Sequence, residues 1–343
     1  MNEAVSWSSS DPILVEVLRG EMVESRHCGA YAVVDAAGAV VLAQGDVEHP
    51  VYARSAIKPL QALPLVETGA AAHYGLSRKE IALACASHNG TPAVVDAVEA
   101  WLNRIGLSRD DLECGADPPI DSAAAQALVR AGQSPSALHN NCSGKHAGFL
   151  TTASHCGEPT RGYIGAQHSV QRRVLATLSS MTGLDLERAP RGTDGCGIPV
   201  IGIPLKAMAR AMARLADPAG LPTERAAAAG RILEAMAAEF LIVAGASRFT
   251  REVMRVAAAT VRLKPGAEGV SCAALPQHGL GIALKVDDGA GRAADVAMGA
   301  LLVRLGMLDP AQAGAIEAVL RPPVKNVVGR TVGELRPVAA AFQ

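Results

Sequence analysis

The densest chemical signal in the chain is Arg54-Ser55-Ala56-Ile57-Lys58-Pro59. A serine and a lysine three apart on a helix share one face, with Cβ atoms about 5–6 Å apart, so the amine is placed to take the hydroxyl proton and make the oxygen a nucleophile. The lysine does this only when neutral. Burial or a second cation must therefore depress a pKa that is normally about 10.4. Pro59 is tolerated in a first helical turn and so places the pair at a helix start. Taken alone, Ser-x-x-Lys recurs by chance, and a capping serine beside a surface lysine is the plainer explanation.

Two glycine-punctuated polar turns stand out of an alanine-rich chain: Asn140-Asn141-Cys142-Ser143-Gly144-Lys145-His146 and Gly192-Thr193-Asp194-Gly195-Cys196-Gly197. Such turns are where function-bearing loops are expected. Cysteine and histidine are zinc-ligand types, but Cys-x-x-Lys is not a standard pair, because a protonated lysine cannot coordinate. The plain alternative is two idle, buried cysteines. Ala86-Ser87-His88-Asn89-Gly90 follows an apolar helical run and reads as a helix C-terminus, with Asn89 and Gly90 supplying a left-handed turn. Lys264-Pro265-Gly266-Ala267-Glu268-Gly269 reads as a lysine on a solvated hairpin tip, and Cys85, Cys114, Cys156 and Cys272 as small core residues.

The elements that must position these groups are strands at both ends and helices between. Segments 13–18, 30–34 and 39–43 have strand character, the last two joined at Asp35-Ala36-Ala37-Gly38. Helical patterns cover 92–105, 167–181, 205–215, 223–243 and 247–256. Strand character returns at 257–263, 269–275 and 281–286, before an amphipathic helix at 292–305. This predicts an α+β fold: one antiparallel sheet built from N- and C-terminal strands, with a helical middle region packed on it.

Composition narrows the function. The 343 residues carry 32 Lys+Arg against 33 Asp+Glu, with four Phe, four Tyr and two Trp, so there is neither the basic face nor the stacking platforms that nucleic acid requires. No apolar run reaches the roughly 18–20 residues that span a bilayer. Seven cysteines, an odd number spread thinly, predict free thiols in a reducing, cytoplasmic setting. Residues 1–12 include Glu3 and Asp11 and have no apolar stretch, so no signal peptide is read there.

In order along the chain, Ala53-Arg54-Ser55-Ala56-Ile57-Lys58-Pro59, Cys85-Ala86-Ser87-His88, Asn141-Cys142-Ser143-Gly144-Lys145-His146, Gly192-Thr193-Asp194-Gly195-Cys196 and Lys264-Pro265-Gly266-Ala267-Glu268-Gly269 resemble the rhizobial-type L-asparaginases, the asparaginase II family. The resemblance implies the fold of serine β-lactamases, penicillin-binding proteins and glutaminases. It implies Ser55 as the nucleophile that attacks the side-chain amide of asparagine, Lys58 as its base, and Ser87 with Lys264 as a second serine–lysine pair. It further implies a zinc ion held by Cys142, Lys145 and Cys196, and a homodimer.

Within that reading, a guanidinium can hold a carboxylate in a bidentate pair, which suits Arg54 to the substrate α-carboxylate. Asp194 suits the α-amino group or the orientation of a zinc ligand, and His88 and His146 are candidates for the same supporting role. Val270-Ser271-Cys272 stands where relatives often carry an aromatic residue, which alters the pocket wall. A site that joins Ser55 to Lys264 points to one catalytic domain over 1–343, with a helical subregion at about 56–256. The competing readings are another Ser-Lys acyl hydrolase, glutaminase or β-lactamase-like, and a non-catalytic zinc-binding protein. Against a β-lactamase, the chain lacks a Lys-Thr-Gly strand motif.

Overall fold

The computed structural model describes residues 11–343, so the reading of a missing leader over 1–12 lies almost wholly outside the described residues. The strands are β1 (Ile13–Arg19), β2 (Met22–Asp35), β3 (Val40–Gln44), β4 (Pro50–Tyr52), β5 (Arg191–Thr193), β6 (Pro199–Pro204), β7 (Arg262–Pro265), β8 (Val270–Leu275), β9 (Leu280–Val286), β10 (Pro323–Lys325) and β11 (Thr331–Pro337). The large sheet runs β10-β11-β1-β2-β9-β8-β7, with β3 added to β2, and a small sheet runs β4-β6-β5. Every pairing is antiparallel, from Val15↔Pro337 between β1 and β11 to Lys264↔Cys272 between β7 and β8. The α+β layout, a sheet closed by strands from both chain ends around a helical middle, is what the pattern predicts.

Side chains alternate across a strand, and that alternation sorts the core into two layers. Ala30, Ala32, Val34, Cys272, Ala274 and Ala283 face the helical middle. Tyr31, Val33, Ala273, Leu275, Ile282 and Leu284 face the other side, where the Arg248–Ala257 and Gly291–Arg304 helices cover them. Burial on both faces explains why the second half of β2 reads as a continuous apolar run. Among the described residues no helix is long and apolar enough to cross a membrane.

Several expectations shift. The helical pattern over 223–243 breaks at Glu239 into Thr223–Ala238 and Phe240–Ala244. The strand expected over 257–263 begins only at Arg262, because Phe249, Val253, Met254 and Ala257 form a buried helical stripe that carries the preceding helix through Ala257. The small sheet has no counterpart in the sequence reading, since two of its strands are only three residues long and two of the three contain proline. Cys156 caps the C-terminus of the Ser143–His155 helix and is exposed, not a core residue, because the last turn of that helix leaves the core. Lys264 is not at a solvated tip: it lies within β7, fully buried, opposite Cys272 on the helical side.

Candidate active site

The chain leaves β4 through a single 3₁₀ turn, Arg54–Ile57, and continues into the short Lys58–Gln61 helix, with Pro59 in its first turn. Arg54 adopts φ 48°, a left-handed conformation that costs a non-glycine residue about 1–3 kcal/mol and persists only where its surroundings hold it. Asp194 supplies that hold: Arg54 Nε donates to Asp194 Oδ1 at 2.8 Å. Burial raises the Asp194 pKa, but Lys145, the Gly195 N–H and Arg54 outweigh it and leave the group a carboxylate, lowered from its ordinary value. The strained residue stands immediately before Ser55, which is partly exposed.

Lys58 does not hydrogen-bond Ser55 here. Its stem runs inward, and Nζ donates to the Ala86 carbonyl at 2.6 Å and to Ser87 Oγ at 3.1 Å. Ser87 is presented because the Arg78–Cys85 helix, nucleated by a Ser77/Glu80 capping box, ends in extended backbone at Ala86. From the other end of the chain, Lys264 Nζ donates to the same Ser87 Oγ at 3.0 Å and to the Pro265 carbonyl at 2.6 Å. One hydroxyl thus sits between two fully buried amines.

Burial is the leading cause that pushes both lysine pKa values down. For Lys264, pushed well below its ordinary value, the neighbouring Lys58 charge adds to it. The turn after β7 seals this arrangement at Gly266. A Cβ there would lie 3.0 Å from the Ala56 nitrogen and 3.4 Å from the Ala53 carbonyl oxygen, so the C-terminal strand docks directly on the Ser55 turn.

Beside the lysine pair lies a sulfur–nitrogen cluster. The Ser143–His155 helix opens at Cys142 and carries Lys145 inward, while the β5–β6 turn brings Asp194 and Cys196. Lys145 Nζ donates to Cys196 Sγ at 3.0 Å, and Cys196 Sγ lies 3.9 Å from Asp194 Oδ2. Each cysteine is the largest influence on the other, lowering the pKa of Cys142 and raising that of Cys196. Burial alone lowers the Lys145 pKa, but the two sulfurs outweigh it and hold the metal-free amine protonated.

Among the described residues no group of three or more His, Cys, Asp or Glu side chains is arranged to hold a metal. The donor set here is instead two buried sulfurs and one buried amine, with Asp194 adjacent. These donors fit a soft divalent ion such as zinc, which competes with the proton for both thiol and amine.

The two histidines support loops, and neither lines the cleft that holds Arg54 and Asp194. His88 Nδ1 accepts from the Gly90 N–H at 3.2 Å, which leaves Nε2–H to donate to Ser143 Oγ at 2.8 Å. Burial, with Lys58 nearby, pushes its pKa down to about 4. Tyr163 accepts the Glu113 N–H at 2.9 Å and donates to His146 Nδ1 at 2.7 Å, so His146 is neutral with its proton on a buried, unpartnered Nε2.

The structure therefore gathers Arg54, Ser55, Lys58, Ser87, Cys142, Lys145, Asp194, Cys196 and Lys264 around one locus. Sequence reasoning missed Gln61, Gln171 and Arg191 in the same cleft. Gln61 alone had a signal, its place three residues after Lys58 on the same helical face.

No curated protein matches the chain at a significant level. Among solved structures, the native form of the protein called Mglu aligns with 82% of this chain and 66% of its own, at 16% identity and a TM-score of 0.45. A β-lactamase from Mycobacterium bovis aligns with 80% of this chain and 94% of its own, at 15% identity and a TM-score of 0.39. A mutant simvastatin synthase from Aspergillus terreus aligns with 79% of this chain and 90% of its own, at 11% identity and a TM-score of 0.38. This chain is thus shorter than Mglu, spanning about two thirds of it, and no functional argument rests on these partial likenesses. Residues 15–337, nearly the whole chain and all of the residues gathered above, match the L-asparaginase II family, and the protein is a member of that family.

Proposed function

We propose that the protein hydrolyses L-asparagine to L-aspartate and ammonia through a serine acyl-enzyme. The observation that carries this reading is the Ser87 hydroxyl held at 3.1 and 3.0 Å by two buried lysine amines, next to the strained turn that presents Ser55. The substrate's α-carboxylate pairs with Arg54 and its α-ammonium with Asp194, so the zwitterion exchanges for the 2.8 Å ion pair that closes the empty site.

Lys58 Nζ turns from the Ala86 carbonyl toward Ser55; Ser55 Oγ then adds to the side-chain amide carbon, and its proton passes to the neutral amine. Ser87 hydrogen-bonds both amines, so a proton on Lys58 moves on toward Lys264 without leaving the site. The departing nitrogen takes that proton back from the lysine pair and leaves as ammonia. Water attacks the aspartyl ester, delivers its proton to a neutral lysine, and Ser55 is restored. A positioned base of this kind contributes about 10²–10⁴-fold in rate.

A second reading makes Ser87 the nucleophile, because Ser87 and not Ser55 is the hydroxyl in hydrogen-bond contact with the lysines. In that reading Ser55 binds substrate.

Zinc held by Cys142, Lys145 and Cys196 would supply fixed positive charge beside the Arg54–Asp194 pair and tie the two cysteine loops together. The chain's own residues carry every step above. Family resemblance extends the reading to a homodimer, which sedimentation measures, and the seven free thiols suit a reducing, cytoplasmic setting. The test is release of ammonia and aspartate in equal amounts from asparagine by the purified protein. No ammonia from asparagine, and none from glutamine, overturns it.

A further inference from the structure

Gln61 ends the Lys58–Gln61 helix and is buried, with its Oε1 shut off from solvent and without a hydrogen-bond partner among the described residues. An acceptor left so is unfavourable to bury, and native proteins keep few of them. Gln61 is also the side chain that two spaces share. Outward it lines the cleft with Arg54, Gln171 and Asp194. Inward it walls a water-sized cavity with Leu65, Ala84, Lys145, Phe149 and Thr152.

A buried water needs room and two to four polar partners. Three of the residues that line the inner cavity carry suitable groups: Gln61 Oε1 can accept, Lys145 Nζ can donate, and Thr152 Oγ1, which gives its own proton to the Gly148 carbonyl at 2.9 Å, keeps lone pairs to accept.

We propose that Gln61 is a positioning residue: with Thr152 it holds one buried water against Lys145 and thereby aims the lysine's lone pair at the site formed with Cys142 and Cys196. This rests on the proposed zinc reading. A lysine that gives its lone pair to a metal remains a donor through two N–H groups, and in a dry interior each must find an acceptor. Cys142 and Cys196 occupy the metal side. Among the described residues the far side has no acceptor in hydrogen-bond contact with Lys145, and the bridging water supplies one. Partners of this outer kind fix a ligand's orientation, and losing one lowers metal affinity about 10–100-fold.

The test uses the zinc-loaded protein, its Gln61→Met variant of near-equal volume, and its Gln61→Glu variant, which restores the acceptor. Crystal structures at a resolution that shows waters, and the rate at which a chelator strips zinc, are the readouts. The expected result is a single water between Gln61, Thr152 and Lys145 in the parent, no water in Gln61→Met with zinc lost about 10–100-fold faster, and near-parent loss in Gln61→Glu. If Gln61→Met does not fold, Thr152→Val removes the water's other anchor and gives the same prediction. A dry cavity in the parent, or parent-like zinc loss in the variants that lack an anchor, overturns the proposal. A parent that binds no zinc overturns the zinc reading instead, and the electron density at the cavity still decides whether Gln61 holds the water.

Discussion

Replacing Lys264 with methionine separates the chemistry of the site from its stability. The lysine is fully buried and makes two hydrogen bonds, at 3.0 Å to Ser87 Oγ and 2.6 Å to the Pro265 carbonyl. Losing them costs about 1 kcal/mol each in net terms, and leaving the two acceptors unpaired adds to that. Against this, methionine fills nearly the same volume with a wholly apolar side chain and removes an amine whose protonation burial opposes. The two sides oppose one another, so the loss of folding stability stays within about 3 kcal/mol.

Activity has no such offset. Removing one terminus of the Lys58–Ser87–Lys264 relay lowers the rate constant about 10²–10⁴-fold with little change in KM. Urea denaturation at pH 7.5 and ammonia release over a range of asparagine concentrations measure the two quantities. A variant that keeps activity within about threefold of the parent, or one that loses activity only in proportion to lost folding, refutes the relay.

Arg54→Ala removes the carboxylate clamp and raises KM about 10–100-fold, the scale of one charge-assisted pair, with a smaller effect on the rate constant. Steady-state kinetics check this, and the reverse pattern contradicts it. Gly245, at φ 53°, sits so close to the Ser87 backbone that a Cβ would lie 2.1 Å from the Ser87 carbonyl oxygen. Gly245→Ala therefore moves Ser87 and lowers the rate constant at least about tenfold, although residue 245 touches no substrate. Parent-like turnover would show that the Ser87 position is not critical.

Because burial depresses Lys58 and Lys264, the rate constant rises with pH as they lose protons, over a range below the ordinary lysine value. A native lysine with a lowered pKa binds fewer protons than the unfolded chain between its folded and unfolded values, so that part of the stability rises with pH and is lost as pH falls. The stability gap between Lys264→Met and the parent therefore widens toward low pH, which melting curves across pH 6 to 10 test.

Local chemistry made much of this protein legible, and long-range docking made the rest invisible. The hairpin at Asp35–Gly38 was readable because the Asp35 side chain caps the turn, its Oδ1 accepting from Gly38 at 2.8 Å and Ala39 at 2.9 Å. The helix Pro92–Arg104 was readable from its first-turn proline and the glycine that follows its end. Lys264 was not. On its own it sits beside Pro265-Gly266 and reads as a turn residue, and only its register against Cys272 turns it into the helical layer.

The same limit applies to Ser55 and Lys58. Their spacing correctly marked a helix start, but spacing alone could not show that the lysine reaches across to Ala86 and Ser87. Family resemblance supplied the grouping of segments that no local pattern contains. The strain at Arg54 was out of reach because nothing in an arginine announces a left-handed backbone.

The central claim, that hydrolysis passes through an ester on Ser55, is tested by quenching the protein with acid during turnover of asparagine, digesting it and mapping adducts by mass spectrometry. The prediction is one aspartyl group on the peptide that contains Ser55, absent without substrate and absent from Ser55→Ala. An adduct on Ser87, or turnover in Ser55→Ala at the parent rate, contradicts it.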